Sequence, residues 1–182
     1  MFAPTFSQRW KSASNLLPYL NDTIKEDEIW LIKFHELMSL KKIQHQFREL
    51  TDQVRIVEDI DITPYLHMAD VLVSDTSSVN YEFMILGKPI VTYRTLSRFD
   101  KGINITEPEE LRSAVDTALY SPADTKYNRI VQLNEIHPYN DLGVAKRIVE
   151  VLEKYYNKKV PSKLRYISFL RRFKTLKLVY RS

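Results

Sequence analysis

The sequence predicts an α/β protein, a Rossmann-like parallel sheet with helices on both faces. Two patterns carry this. Short runs of β-branched and aromatic residues recur along the chain, and segments with apolar residues at helical spacing stand between them. Parallel neighbours need a crossover of a dozen or more residues, and a helix supplies it while covering a sheet face. With 182 residues and 44% hydrophobic content, the chain is long enough to bury one such core.

Taken in order, residues 29–34 (IWLIKF) read as a buried strand. Residues 38–50 place Leu40, Ile43, Phe47 and Leu50 at helical spacing. Residues 54–57 read as a short strand and 64–68 as a helical turn. Residues 71–74 are another strand, followed by a helix over about 77–86. Gly87 then supplies a left-handed stop, and Pro89 bars continuation. Residues 89–93 are the next strand. Thr106 to Glu109 (TEPE) has capping-box spacing and should open a helix through Leu111, Val115, Ala118 and Leu119. Helices follow over about 127–136 and 142–156, the latter with Val144, Ile148, Val151, Leu152 and Tyr155 on one face. Residues 157–162, with Pro161, read as a linker, so the expected division is a folded domain over 1–156 and a tail over 157–182.

Composition excludes several classes. There is no cysteine, hence no disulfide and no Cys-based zinc or iron–sulfur site. The four histidines, His35, His45, His67 and His137, show no ligand spacing, so neither metal nor cofactor is expected. Apolar runs fall short of the roughly 18–20 residues that span a bilayer, and the first residues lack the basic-then-apolar layout of a signal peptide. Charge is unevenly placed. Residues 158–182 hold nine Lys/Arg and no Asp/Glu; 27 less nine leaves 18 basic against 23 acidic residues elsewhere, a net of −5. Within that tail Tyr166, Phe169, Leu170, Phe173, Leu176 and Tyr180 approximate a helical stripe, the composition of an interfacial helix. An anionic membrane is the expected partner at about 1 kcal/mol per basic residue. Packing on protein is the alternative, and no nucleic-acid motif accompanies the charge.

The chemistry concentrates in VLVSDTSSVNYEF, residues 71–83, where a strand passes into a helix through three hydroxyl residues and no glycine. Ligands of open parallel sheets sit at such junctions, where unpaired N–H groups face anions. Thr76 or Ser77 serving only as an N-cap is the simpler alternative. The longer stretch ADVLVSDTSSVNYEFMILGKPIV, residues 69–91, resembles the signature of the CDP-glycerol glycerophosphotransferase family of teichoic-acid and capsule enzymes. That signature runs Ala/Ser-Asp-x-hydrophobic-x-[ST]-Asp-x-Ser-Ser, then a helix, then [KR]-Pro-hydrophobic. FAPTF (2–6), LIKFHE (31–36) and YNDLGVAKRIVEVL (139–152) resemble three further family segments in the same order. Three departures stand out: Glu36 where the family has Pro, Ser7 where it often has Arg (Arg9 being nearby), and Leu142 inserted between Asp141 and Gly143.

The resemblance implies one half of a GT-B fold, the half that binds a CDP-activated polyol phosphate such as CDP-glycerol. It implies that Ser77 and Ser78, with Thr76 beside them, hold the donor's diphosphate. His35 would donate to that diphosphate or offset the charge of departing CMP, and Glu82 would accept from the ribose hydroxyls. Asp75 would fix the loop, since a carboxylate repels diphosphate. Arg94 and Arg98 follow the 89–93 strand on the ligand side and have the charge to neutralise a phosphate. The expected function is polyol-phosphate transfer to a teichoic-acid-like or capsular polymer. A partner chain would supply the acceptor half, on the inner face of the plasma membrane. The alternatives are a non-catalytic nucleotide-binding scaffold and a GT-B enzyme using a sugar nucleotide.

Overall fold

Strands this short carry one or two side chains per face, so the core depends on strict alternation. In the computed structural model, which describes residues 1–6, 12–35, 38, 50–95, 97–123, 125–139 and 141–157, one six-stranded sheet is present. It comprises β1 (Phe2–Ala3), β2 (Trp30–Ile32), β3 (Val54–Ile56), β4 (Leu72–Ser74), β5 (Ile90–Tyr93) and β6 (Ile103–Ile105). The spatial order is β3-β2-β1-β4-β5-β6, and every pairing is parallel. Phe2 is in register with both Ile32 and Val73, and Ala3 with Ser74. The parallel sheet is therefore as the sequence predicts, and its order reverses between β1 and β4.

Alternation sorts the core into two layers. Phe2, Ile32, Val73, Val91 and Tyr93 face α1 (Ser12–Leu16), the 3₁₀ turn Leu17–Tyr19, α2 (Leu20–Thr23) and α5 (Leu111–Tyr120). Their neighbours in sequence, Ala3, Leu72 and Ile90, face the other way, toward α3 (Thr63–Met68) and α4 (Val79–Ile85). Side chains such as Phe2, Leu16, Phe83 and Leu111 are fully buried; each contributes about 1.5–3 kcal/mol by leaving water.

Several boundaries are set by local chemistry. Gly87 ends α4 in the left-handed region (φ 71°), its amide reaching Met84 O at 2.9 Å, the stop the sequence predicts. The capping box before α5 is displaced by one residue from the expected Thr106–Glu109 pair. It joins Glu107 to Glu110 around the 3₁₀ turn Pro108–Glu110. Pro108 occupies the first turn, so Glu110 is the residue able to reach back, and its Oε2 accepts from the amides of Thr106 and Glu107 at 2.8 Å. The helix expected over 38–50, with His45, lies almost wholly outside the described residues, as do Ser7, Arg9, Glu36 and the 158–182 tail.

Two compact units divide at Pro138/Tyr139. The first contains the sheet and, as its last helix, α6 (Lys126–Ile136). The second contains, among the described residues, α7 (Val144–Asn157). Asp141 organises the start of α7: its Oδ1 accepts from Gly143 N at 2.8 Å, and its carboxylate pairs with both Arg147 Nη atoms at 2.7 and 3.0 Å. An Asp–Gly contact thus forms despite the inserted Leu142. The apolar residues of α7 are exposed, and no described helix is long and apolar enough to cross a membrane.

Candidate functional site

In a doubly wound sheet the loops at the reversal of strand order diverge, leaving a crevice beyond the strand C-termini. Here the reversal falls between β1 and β4. The segments leaving those strands are Pro4-Thr5-Phe6 and Asp75-Thr76-Ser77-Ser78, both drawn from stretches singled out in the sequence.

Asp75 closes the floor of this crevice. It is buried, and its carboxylate accepts from the Thr5 amide at 3.1 Å to each oxygen and from the Ser12 hydroxyl. Burial pushes its carboxyl above the ordinary range, opposed by those Ser12 and Thr5 hydrogen bonds. One side chain thereby ties the β1 loop, the β4 loop and α1 together. Asn80 braces the same residue from below, donating to Asp75 O at 2.6 Å. Ser74 Oγ donates to Ala3 O at 2.6 Å, locking the last rung of the β1–β4 pair.

With Asp75 turned inward, the hydroxyls that follow turn outward. Thr76 and Ser78 are exposed and Ser77 half-buried. Ser78 occupies the N-cap of α4 without a side-chain capping bond. Among the described residues, neither the Ser77 nor the Ser78 side chain makes a hydrogen bond. The Ser77 amide is tied to Asp75 O at 3.0 Å. Thr76 Oγ1 lies 3.3 Å from Thr95 Oγ1, just beyond β5. The simpler reading, Thr76 or Ser77 as the N-cap, differs from the structure, where Ser78 holds that position and the Thr76 hydroxyl lies beside that of Thr95.

His35, three residues past the end of β2, stacks against Phe6 with ring centroids 4.6 Å apart at 44°. The FAPTF and LIKFH stretches therefore meet at the same sheet edge that receives the DTSS seam. Glu82 is exposed on α4, four residues beyond Ser78 and on the same helix face. Arg94 adopts left-handed backbone (φ 49°) and turns toward the β6 loop. Its Nε donates to Thr106 O at 2.6 Å and its Nη2 pairs with Glu107 at 3.2 Å. Arg98, also left-handed (φ 48°), pairs with Glu135 of α6 at 3.4 Å. Two non-glycine residues in that region within five positions mark a loop held in an uncommon shape. The structure thus brings Thr76, Ser77, Ser78 and His35 to one edge of the sheet and directs the two arginines elsewhere.

Lys101 is the residue that sequence reasoning passed over. It is 2% exposed and sits in the 3₁₀ turn Phe99–Lys101, its Nζ reaching Arg98 O at 3.1 Å and Thr95 Oγ1 at 3.3 Å. The one signal available was its neighbour Gly102, in a chain with only three glycines. A Cβ at Gly102 would overlap the Ile90 carbonyl oxygen, so the backbone there passes hard against β5.

A cavity of about 560 Å³ lies elsewhere, lined by the residues that lead into β2 and β4, among them Trp30, Leu31, Ala69 and Val71. Asp27, Glu28 and Asp70 also line it, which gives it the wrong sign for a diphosphate.

Strand order, helices on both faces and a crevice at the reversal define one half of a GT-B fold. Solved structures agree. The Anabaena protein HepE in complex with UDP and glucose matches with TM-score 0.59 at 18% identity, over 84% of this chain and 48% of that one. The wall teichoic acid polymerase TagF matches with TM-score 0.55 at 16% identity, over 88% and 44%. At these identities the likeness speaks for the fold. The sequence itself goes further: the family described as CDP-glycerol:poly(glycerophosphate) glycerophosphotransferase matches residues 1–98, more than half of the chain, and the chain belongs to it. A teichoic acid glycerol-phosphate primase of Bacillus spizizenii is 34% identical over 98 residues, 51% of this chain and 24% of the relative. A protein of the same description from Bacillus subtilis is 28% identical over 146 residues, 77% and 35%. The chain thus spans about a quarter to a third of the length of these curated relatives.

Proposed function

We propose that this chain binds the diphosphate of a CDP-activated polyol phosphate, such as CDP-glycerol, at the Thr76–Ser78 seam. It would act as the donor-binding half of a transferase that extends a teichoic-acid-like polymer. The observation that carries this is the pair of hydroxyls, Ser77 and Ser78, unpartnered among the described residues, at the reversal point of the sheet in a member of this family. TagF, one of the structural neighbours, is a wall teichoic acid polymerase, which favours the same chemistry.

In this reading an acceptor hydroxyl oxygen attacks the β-phosphorus in line. The bond from that phosphorus to the bridging oxygen breaks, and its electron pair leaves with CMP. The acceptor proton goes to a base outside the residues assigned here, on the acceptor half or a partner chain. This chain's contribution is electrostatic. Ser77, Ser78 and Thr76 donate to diphosphate oxygens, His35 offsets charge on departing CMP, and Glu82 accepts from ribose. Arg94 remains available as a further phosphate ligand, because its exposed pair with Glu107 is worth no more than about 1 kcal/mol and is readily exchanged.

Calorimetric titration with CDP-glycerol, CTP and UDP-glucose tests the reading. Cytidine diphosphate compounds should bind, and Ser77→Ala/Ser78→Ala should weaken them by about 100-fold, two charge-assisted hydrogen bonds being removed. Preference for UDP-glucose would favour a sugar-nucleotide enzyme, a reading that the HepE likeness supports. Binding without turnover in the presence of an acceptor half would favour the scaffold. The 158–182 segment is proposed to hold the chain against anionic lipid at the cytoplasmic membrane face. Flotation with phosphatidylglycerol liposomes should be lost when that segment is removed, and equal flotation of both forms would refute the anchor.

A further inference from the structure

Lys101 presents a physical problem: a buried lysine with no carboxylate to pair with. Among the described residues no Asp or Glu lies within ion-pair distance of its Nζ. Its own turn carries two charged neighbours, and α6 draws both away. Asp100 Oδ1 accepts from Gln132 Nε2 at 2.7 Å, and the Arg98 guanidinium pairs with Glu135. Lys101 turns inward instead, onto three neutral oxygens: Arg98 O at 3.1 Å, Thr95 Oγ1 at 3.3 Å and Ser97 O at 3.4 Å. Every ammonium proton has an acceptor, but among the described residues the charge has no paired counter-ion. Burial holds its pKa below the ordinary lysine value, with Asp100 acting against and Arg98 with that shift. An uncompensated buried charge is costly to the fold, and such groups cluster where a charged ligand completes them.

The direction of the hydrogen bonds says where that ligand would sit. Lys101 can only donate, so Thr95 Oγ1 accepts from it and must send its own proton onward. Two acceptors are in reach: Ser97 O at 3.5 Å, which already receives Lys101, and Thr76 Oγ1 at 3.3 Å. The shorter contact leads to Thr76, whose proton then points out of the protein at the exposed seam. Thr95 is itself held for this role, its amide donating to Asn104 Oδ1 at 3.1 Å. Chains of hydrogen bonds that start at a cation polarise one another in one sense.

We infer that Lys101 is the buried positioning cation of the diphosphate seam, acting through a relay in which Thr95 and then Thr76 carry its polarisation to a phosphate oxygen. The inference deepens the diphosphate reading above and rests on it. Thr76 touches the ligand; Thr95 and Lys101 do not. The seam thereby gains a positive field without a surface arginine, and without the glycine-rich loop that other phosphate sites use.

The test is calorimetry of CDP with the full chain and with Lys101→Met, Thr95→Val and Thr76→Val, each run beside thermal unfolding. Each substitution should raise the Kd about tenfold, and Lys101→Met/Thr76→Val should be no worse than either single change, because the relay acts in series. Lys101→Met should be at least as stable as the parent, since it removes an unpaired buried charge; a lysine that merely held the loop would show a lower Tm. As pH rises toward the ordinary lysine value of 10.5, the parent's Kd should rise as Lys101, its pKa lowered by burial, loses its proton. The other charged groups around it are Arg98, Asp100 and the Arg98-bound Glu135, and Lys101→Met should abolish that slope. Thr76 is exposed, so its variant reports on the ligand contact whatever happens to the buried ones, and the comparison with the double variant reports on the relay. Unchanged affinity in Thr76→Val or Thr95→Val, additive losses, or the same alkaline slope in Lys101→Met would overturn the relay. If CDP binds, Ser77→Ala/Ser78→Ala weakens it as expected and the relay variants are silent, this inference fails alone. If the parent does not bind CDP at all, the diphosphate reading and the relay fall together.

Discussion

Two polar regions of this chain treat charge in opposite ways. Around Arg112, which joins α5 to α2 and the segment entering β2, charges are paired. Arg112 Nη1 donates to both Glu28 oxygens at 2.9 Å and to Thr23 O at 2.7 Å, its Nη2 pairs with Asp116 at 2.6 Å, and Lys25 meets Asp116 at 2.7 Å. Beyond the C-terminal ends of β1, β4 and β5, a buried carboxylate and a buried ammonium are each held by neutral donors or acceptors, and among the described residues the Ser77 and Ser78 hydroxyls have no partner. The first arrangement stabilises a fold. The second is costly unless something else binds there, and that contrast is what the proposed diphosphate site rests on.

The largest expected effect of breaking this contrast is at Asp75. Asp75→Ala leaves the buried Thr5 amide and Ser12 hydroxyl without their acceptor and should destabilise by about 3 kcal/mol, measured by urea unfolding. Arg112→Met should cost about 2 kcal/mol, less because the cluster is only partly buried and water can replace some of its contacts.

pH then separates the two regions by sign. Asp75 titrates above its ordinary 3.8 in the folded chain, so its protonated form favours folding; that contribution is full below 3.8 and lost as pH rises through the raised value. Burial pushes Glu28 up, but hydrogen bonds from Trp30, Arg112 and the Lys25 amide outweigh it. Its folded value lies below 4.5, and its contribution is lost as pH falls through that lowered value. Between pH 3 and 7, Asp75→Asn should therefore gain stability relative to the parent as pH rises. Glu28→Gln should lose it over the same range. The smallest effect is at Arg94, whose exposed pair should make Arg94→Ala neutral within about 0.5 kcal/mol in thermal unfolding.

The sheet was legible wherever a strand was rich in β-branched and aromatic residues, as in IWLI, VRIV, VLV and IVTY. The helices around Gly87 and Leu111 were legible from their stops and spacing. β1 and β6 were not: the two residues of β1 give no period to read, and Phe2–Ala3 becomes a strand because its neighbours on both sides pair with it. Residues 12–23 escaped because Pro18 interrupts the helical spacing, and the chain takes a 3₁₀ turn there. At the site, the DTSS seam and His35 were visible as local motifs. Thr95 and Lys101 were not, because what makes them unusual is decided from about thirty residues away, by Gln132 and Glu135 drawing Asp100 and Arg98 aside.

A crystal structure of the chain with CDP-glycerol is the decisive measurement. The account predicts diphosphate oxygens within hydrogen-bond distance of the Ser77, Ser78 and Thr76 hydroxyls, with Asp75 still bound to Thr5 beneath them. A ligand lodged in the cavity by Trp30 and Ala69, with those three hydroxyls facing only solvent, would contradict it.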